Sequence, residues 1–192
     1  MKKLLLLALG LLFSLNLHAA DTYVVDSAHS QIGFAVKHIM VSTIKGSFGD
    51  YTSNITFDPA DAASFKADAT IQVKSVDTNN EQRDEHLRTA DFFDVGQFPT
   101  ITFKSKSLTG ANGSYTLVGD LMLHGVTKEV SFPVQISGPV ASPMGGDAIG
   151  LSGQLTVNRQ DYGIKWNKDM DKGGVMLGND VTVSIELEAH KK

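Results

Sequence analysis

Apolar and polar residues alternate with a period of two along most of this chain. In 31–38, Ile32, Phe34, Val36 and His38 share one face and Gln31, Gly33, Ala35 and Lys37 the other. In 64–73, Phe65, Ala67, Ala69, Ile71 and Val73 oppose Ser64, Lys66, Asp68, Thr70 and Gln72. Val130, Phe132, Val134 and Ile136 repeat the pattern, as do Ile149, Leu151, Leu155 and Val157, and then Val181, Val183, Ile185 and Leu187. Such alternation marks strands with one buried face. Weaker strand patterns at 47–57, 100–108 and 114–123 bring the expected number to about eight.

Turn-forming clusters separate most of these runs: "DPAD" at 58–61, "GANGS" at 110–114, "HGVTK" at 124–128 and "SPMGGD" at 142–147. Short connections favour antiparallel neighbours. One segment breaks the rhythm. Thr78 and Glu81 have the spacing of a capping box, which predicts a helix from Asn79 to Arg88, with Arg83–Leu87 and Asp84–Arg88 as supporting i,i+4 pairs. Pro99 then favours an extended entry into the next strand. A helix inserted in an antiparallel meander predicts an all-β fold, an eight-stranded barrel whose closure removes exposed edges. The apolar face should point inward. Membrane barrels carry aromatic girdles, whereas this chain has one Trp and four Tyr without such a pattern, a charged helix within a connection, and "LEAHKK" rather than an aromatic final strand.

Residues 1–20, "MKKLLLLALGLLFSLNLHAA", have the basic start, apolar core and small-residue exit of a secretory leader. The apolar run is too short and too interrupted for a membrane anchor. Cleavage is expected after Ala19 or Ala20, leaving a single domain over 21–192 in the periplasm of a diderm bacterium. Losing Lys2 and Lys3 makes the formal net charge of −4 more negative by two units, which argues against nucleic acid as a partner. The chain has no cysteine, so neither disulfides, thiol chemistry nor lipid attachment to a cysteine enters.

The densest polar stretch, 79–103, holds Arg83, Asp84, Glu85, His86, Arg88, Asp91 and Asp94 beside four phenylalanines, but its spacings do not build a catalytic or metal site. Asp84 and His86 diverge around a helix, and the i,i+4 histidine pair of zinc proteases is absent. His29 and His38 fall on opposite faces of a regular strand. His38 is a mouth-proximal group inside the barrel, bonded to backbone in the simplest reading. His124, at a tight turn, is read as a packing residue, Asp91 as the N-cap of a short turn, and Arg159 and Asp161 as a possible ion pair. No nucleotide-binding or nucleophile-elbow motif is present, and no cofactor is expected.

Five motifs in order resemble the YceI-like family of exported proteins: "DSAHSQIGFAVKHIMVSTIKGSF" (26–48), "SVDTNNEQRDEHLRTADFFDVGQFPTITFKS" (75–105), "GDLMLHGVTKEV" (119–130), "NRQDYGI" (158–164) and "VTVSIELEAH" (181–190). Glu129 stands where the family usually has proline. The resemblance implies a lipocalin-like extended eight-stranded barrel that binds an amphiphile (a polyisoprenoid, an isoprenoid quinone or a fatty amide) without catalysis. Under it, Phe34, Val36, His38, Ile71 and Phe103 face the ligand. Phe92 and Phe93 help to plug one end, and His38, Arg83 and His86 are candidates for the head group. Ala67, Ala69 and Gly153 are small residues that leave room. The alternative is an exported interaction or inhibitor protein whose barrel is filled by its own side chains. A homodimer stays open under either reading.

Overall fold

The computed structural model describes residues 20–143, 145–170 and 173–192; the leader read from the first residues lies outside them. Eleven strand segments form one antiparallel sheet: β1 (Asp21–Val25), β2 (Gln31–His38), β3 (Ser42–Phe48), β4 (Tyr51–Asp58), β5 (Asp61–Gln72), β6 (Val76–Asp77), β7 (Thr100–Ala111), β8 (Ser114–Leu123), β9 (Val126–Ala141), β10 (Asp147–Asn158) and β11 (Leu177–Lys191). The expected eight strands are recovered once two interruptions are recognised and the two-residue β6, which pairs only with β3, is set aside. A 3-10 turn at Ser27–His29 divides β1 from β2, and Gly49–Asp50 divides β3 from β4. His29 therefore sits in a turn rather than on the strand of His38.

Around the barrel the order is β1-β4-β5-β7-β8-β9-β10-β11, and β11 returns to β1 through Tyr23↔Lys191, Val24↔His190 and Val25↔Ala189. The rest of β11 pairs with β2, so β2 and β3 continue the wall beyond this closure. The seam has its own polar clip. Asp26 accepts hydrogen bonds from the Ala28 amide at 2.9 Å and from the His29 ring, Nδ1 to Oδ2, at 2.7 Å. His190 from β11 lies beside the same carboxylate.

The interior is packed at one end. Tyr23, Ile55, Phe57, Phe65, Tyr115, Phe132, Val134 and Ile149 form a continuous buried cluster there, with Phe57 edge-on to both Phe65 and Tyr115. Towards the other end the same inward parity continues through Phe34, Val36, Val181 and Val183, but these side chains are only half-buried. Phe34, Val181 and Val183 pack against a second buried cluster that includes Ile32, Phe48, Phe92 and Ile101, and all four side chains border a cavity.

The helix α1 (Glu81–Arg88) forms where predicted, with a different cap. Asn80 is the N-cap, its Oδ1 accepting from the Arg83 amide at 3.0 Å. The capping box fails because Asp84, buried rather than paired with Arg88, takes Thr78 away: its Oδ1 accepts from both the Thr78 amide and hydroxyl. Arg88 meets Glu81 instead, at 3.5 Å, and donates to the Lys74 and Val76 carbonyls. Asp91 caps nothing; its carboxylate bonds the His86 ring at 2.8 Å.

Asn80→Ala should therefore weaken α1 by about 0.5–2 kcal/mol, with faster amide exchange over 81–88, whereas Glu81→Ala should leave exchange there nearly unchanged. Equal effects would restore the capping box.

The seam predicts a pH dependence. Donating to the Asp26 carboxylate raises the His29 pKa, and accepting that bond lowers the pKa of Asp26. His29's contribution is fully present below its ordinary 6.5 and fades as pH rises through its raised folded value; Asp26's is present above 3.8 and fades as pH falls through its lowered one. The pair helps most between those limits. Melting temperatures should show His29→Ala below the parent near pH ~5 and level with it near pH ~9.

Candidate functional site

The half of the barrel that its own side chains do not fill encloses a cavity of about 400 Å³ with an almost wholly apolar wall. That volume lies in the range of small-molecule sites. Its floor is the packed cluster, where Phe103 stands edge-on to Phe132 with ring centres 5.9 Å apart. The wall rises through β2, β5, β7, β10 and β11. Two phenylalanines reach into it over glycines: the Phe34 ring lies over Gly46 of the paired strand and the Phe103 ring over Gly119, and any Cβ at either glycine would collide with the ring. At the rim stand His38, Ile44, Met176 and Leu177, all half-exposed.

A lid covers the space beside the rim. After α1, the Phe92 and Phe93 amides bond back to the Thr89 and Leu87 carbonyls, and this compact turn directs both rings at the cavity. Phe93 meets Phe48 at 5.9 Å, and Phe92 meets Trp166 at 5.1 Å. His86 stands perpendicular to both Phe92 and Trp166, at 5.0 and 5.3 Å, held by Asp91. Trp166 comes from the loop after β10, which Arg159 fixes by donating to the Ile164 and Trp166 carbonyls, to Gly178 and to Asn179.

Polar groups in the wall are few. Arg83 donates Nε to the Thr78 hydroxyl at 2.7 Å and Nη2 to the Thr78 carbonyl at 2.8 Å. A guanidinium has five N–H donors, so these two bonds leave others for the cavity side. Arg159 is buried, and burial lowers its pKa below the ordinary value. Neither arginine forms an ion pair among the described residues. Two cations thus border an apolar space without a carboxylate against either.

All the ligand-facing candidates border this one cavity: Phe34, Val36, His38 and Ile71 on the wall, Phe103 near the floor, and Arg83, His86 and Phe92 in the lid. Ala67 and Ala69 border it too. Gly153 does not. A Cβ there would meet the Val134 and Phe132 side chains, so its smallness admits core packing rather than a ligand. The His38 ring has no hydrogen-bond partner among the described residues, contrary to the backbone-bonded reading. Asp161 pairs with Lys128 at 3.1 Å, not with Arg159. His124 packs, its ring centre 4.4 Å from that of Phe98. Sequence reasoning missed Trp166, Met176 and the structural role of Arg159. They lie in or against irregular segments that carry no period to read.

Comparison with known proteins agrees with this architecture. The model of the YceI-like domain matches residues 23–189. A UPF0312 protein of Staphylococcus aureus (strain N315) is 41% identical over 167 residues, covering 86% of this chain and 95% of its own. Among solved structures, a Campylobacter jejuni YceI protein superposes with a TM-score of 0.70 at 34% identity, over 81% of this chain and 90% of that one. Burkholderia cenocepacia BcnA does so at 0.76 and 25% identity, over 85% and 98%. A polyisoprenoid binding domain from Saccharophagus degradans has the same fold, at 0.69 and 16% identity, over 91% and 100%. A match running from β1 into β11, through every strand that walls the cavity, makes this chain a member of the YceI-like family.

Proposed function

We propose that this protein is an exported, periplasmic carrier that holds a long-chain amphiphile in the barrel cavity and performs no chemistry on it. The observation that carries the reading is the hollow itself: about 400 Å³ of apolar space inside a barrel that is tightly packed at its other end. Protein interiors are close-packed and seldom leave voids above water size. The alternative, a barrel filled by its own side chains, describes only the Tyr23–Phe57–Phe132 end. Family membership and the fold shared with a polyisoprenoid binding domain support a polyisoprenoid, an isoprenoid quinone or a fatty amide as the occupant.

A tail laid along Phe34, Val36, Ile71 and Phe103 gains about 0.8 kcal/mol per buried methylene. Tail recognition is consequently set by length and width. The head group is read at the lid end, where Arg83, His86 and the ring of His38 supply the polar contacts.

Protein purified without detergent should release an amphiphile into organic solvent, identified by mass spectrometry. Ala69→Phe, which fills the cavity, and Phe34→Asp, which places an unpaired carboxylate in it, should each abolish retention; Ala69→Phe keeps the wall apolar and so guards against simple unfolding. Arg83→Ala should weaken an anionic-headed analogue by about tenfold or more and a neutral one of equal tail little. If nothing is extracted and neither quinone nor polyprenyl analogues raise the melting temperature, the interaction-protein reading takes over.

A further inference from the structure

The turn joining β2 to β3 breaks two rules at once. The Val41 amide bonds to the His38 carbonyl at 3.2 Å, and the central residues Ile39 and Met40 have φ of 45° and 62°. Positive φ at both central positions is the pattern of a type I′ hairpin turn, which favours Asn-Gly. This chain follows that rule elsewhere. The turn from β7 to β8 uses Asn112-Gly113, with φ of 56° and 85°, and that from β8 to β9 uses His124-Gly125, with 51° and 73°. Ile39, β-branched, is among the residue types least suited to this backbone. The same three residues are also open to water, with Ile39, Met40 and Val41 at 37%, 59% and 79% exposure.

Strain and exposed apolar surface coincide at the rim of the cavity. The Ile39 amide donates to the Met176 carbonyl at 2.7 Å, and His38 and Met176 both border the hollow. Basic residues lie on the tip's own hairpin and on the loop before β11, where the Met176 carbonyl accepts from Ile39 and the Met176 amide donates to the Lys168 carbonyl. Lys37 and Lys45 are exposed on its own hairpin, and Lys165 and Lys168 on the neighbouring loop, whose sequence also carries Asp169, Asp171 and Lys172.

We propose that Ile39-Met40-Val41 is a membrane-docking tip that seats the rim of the cavity on an anionic lipid surface. The proposal rests on the carrier reading for its purpose: an amphiphile passes between bilayer and barrel without crossing water. Apolar residues at the tip enter the boundary between head groups and acyl chains, and the lysines meet the negatively charged head groups. An Asn-Gly turn relieves the strain and loses the anchor. Side chains that oppose their own backbone conformation at an exposed edge are the kind of local violation that marks function.

Lipid-stripped protein, pelleted with phosphatidylcholine vesicles with and without phosphatidylglycerol, tests docking apart from ligand binding. The parent should pellet with the anionic vesicles and less at high salt. The double variant Ile39→Asn with Met40→Gly should lose about tenfold or more of that binding while melting no lower than the parent. Lys37→Gln with Lys45→Gln should remove part of the salt-sensitive share and leave melting unchanged. A double variant that pellets like the parent, or a parent that pellets with neither vesicle, overturns the proposal. So does tip-dependent self-association without vesicle binding, which assigns the patch to a second copy. Ligand uptake from solution by a non-pelleting parent leaves the carrier reading standing and docking refuted; vesicle binding without uptake does the reverse.

Discussion

The interior of this protein exists because three residues near one end of the chain pair with three near the other. Tyr23, Val24 and Val25 against Lys191, His190 and Ala189 turn an open meander into a closed wall. Closure of eight strands fixes a width that side chains fill or a slender ligand occupies, and it leaves side-chain size to choose between the two. Where the inward positions carry Tyr23, Phe57, Phe65, Tyr115 and Phe132, aromatic rings meet across the axis and the barrel is solid. Where they carry Val36, Ala69, Ile71 and Val183, the walls do not meet and a cavity remains. One alternating pattern therefore produces a core and a hollow in the same strands.

The lid depends on a buried charge. Asp84 points inward from α1 and would be costly to bury alone. Its Oδ1 accepts from both the amide and the hydroxyl of Thr78, whose hydroxyl and carbonyl in turn accept from Arg83. Acid, threonine and arginine form one network that fixes the helix against the wall and leaves part of the guanidinium for the cavity. The lid is positioned by the same residues that give it polarity.

Periodicity made the strands and their inward faces legible, because burial on one side of a pleat leaves a mark at every second residue. Phe34, Val36, Ile71 and Phe103 could be assigned to common faces on that ground, while the choice of inside needed the absence of membrane-barrel girdles and the family resemblance. What did not transfer was choice among partners. Asp84 has a good i,i+4 companion in Arg88, yet the tertiary contact with Thr78 wins and takes the capping box with it. Arg159 and Asp161 are near in sequence, yet Arg159 is spent on the carbonyls of its own loop. Spacing says which residues are able to meet; only the fold says which alternative is better satisfied. Trp166 and Met176 had no spacing to offer at all.

On the carrier reading, the asymmetry of the cavity also orients its occupant. The floor is made of aromatic and branched side chains and offers a head group nothing to replace its water. Arg83 and Arg159 lie on the opposite side, with no counter-ion among the described residues. An apolar surrounding strengthens the field of each cation over what water would allow, and Arg159, tied to carbonyls on its loop, has little freedom to leave. An electronegative head group placed at the lid end meets the spare donors of Arg83 with the Arg159 charge beside it, while one placed at the floor meets neither and loses its hydration. The tail then runs inward towards Phe103 and Phe132, and the head remains beside the rim where His38 and the β2–β3 turn stand. Under that reading, entry, orientation and release share one end of the barrel, and the packed end is free to supply stability.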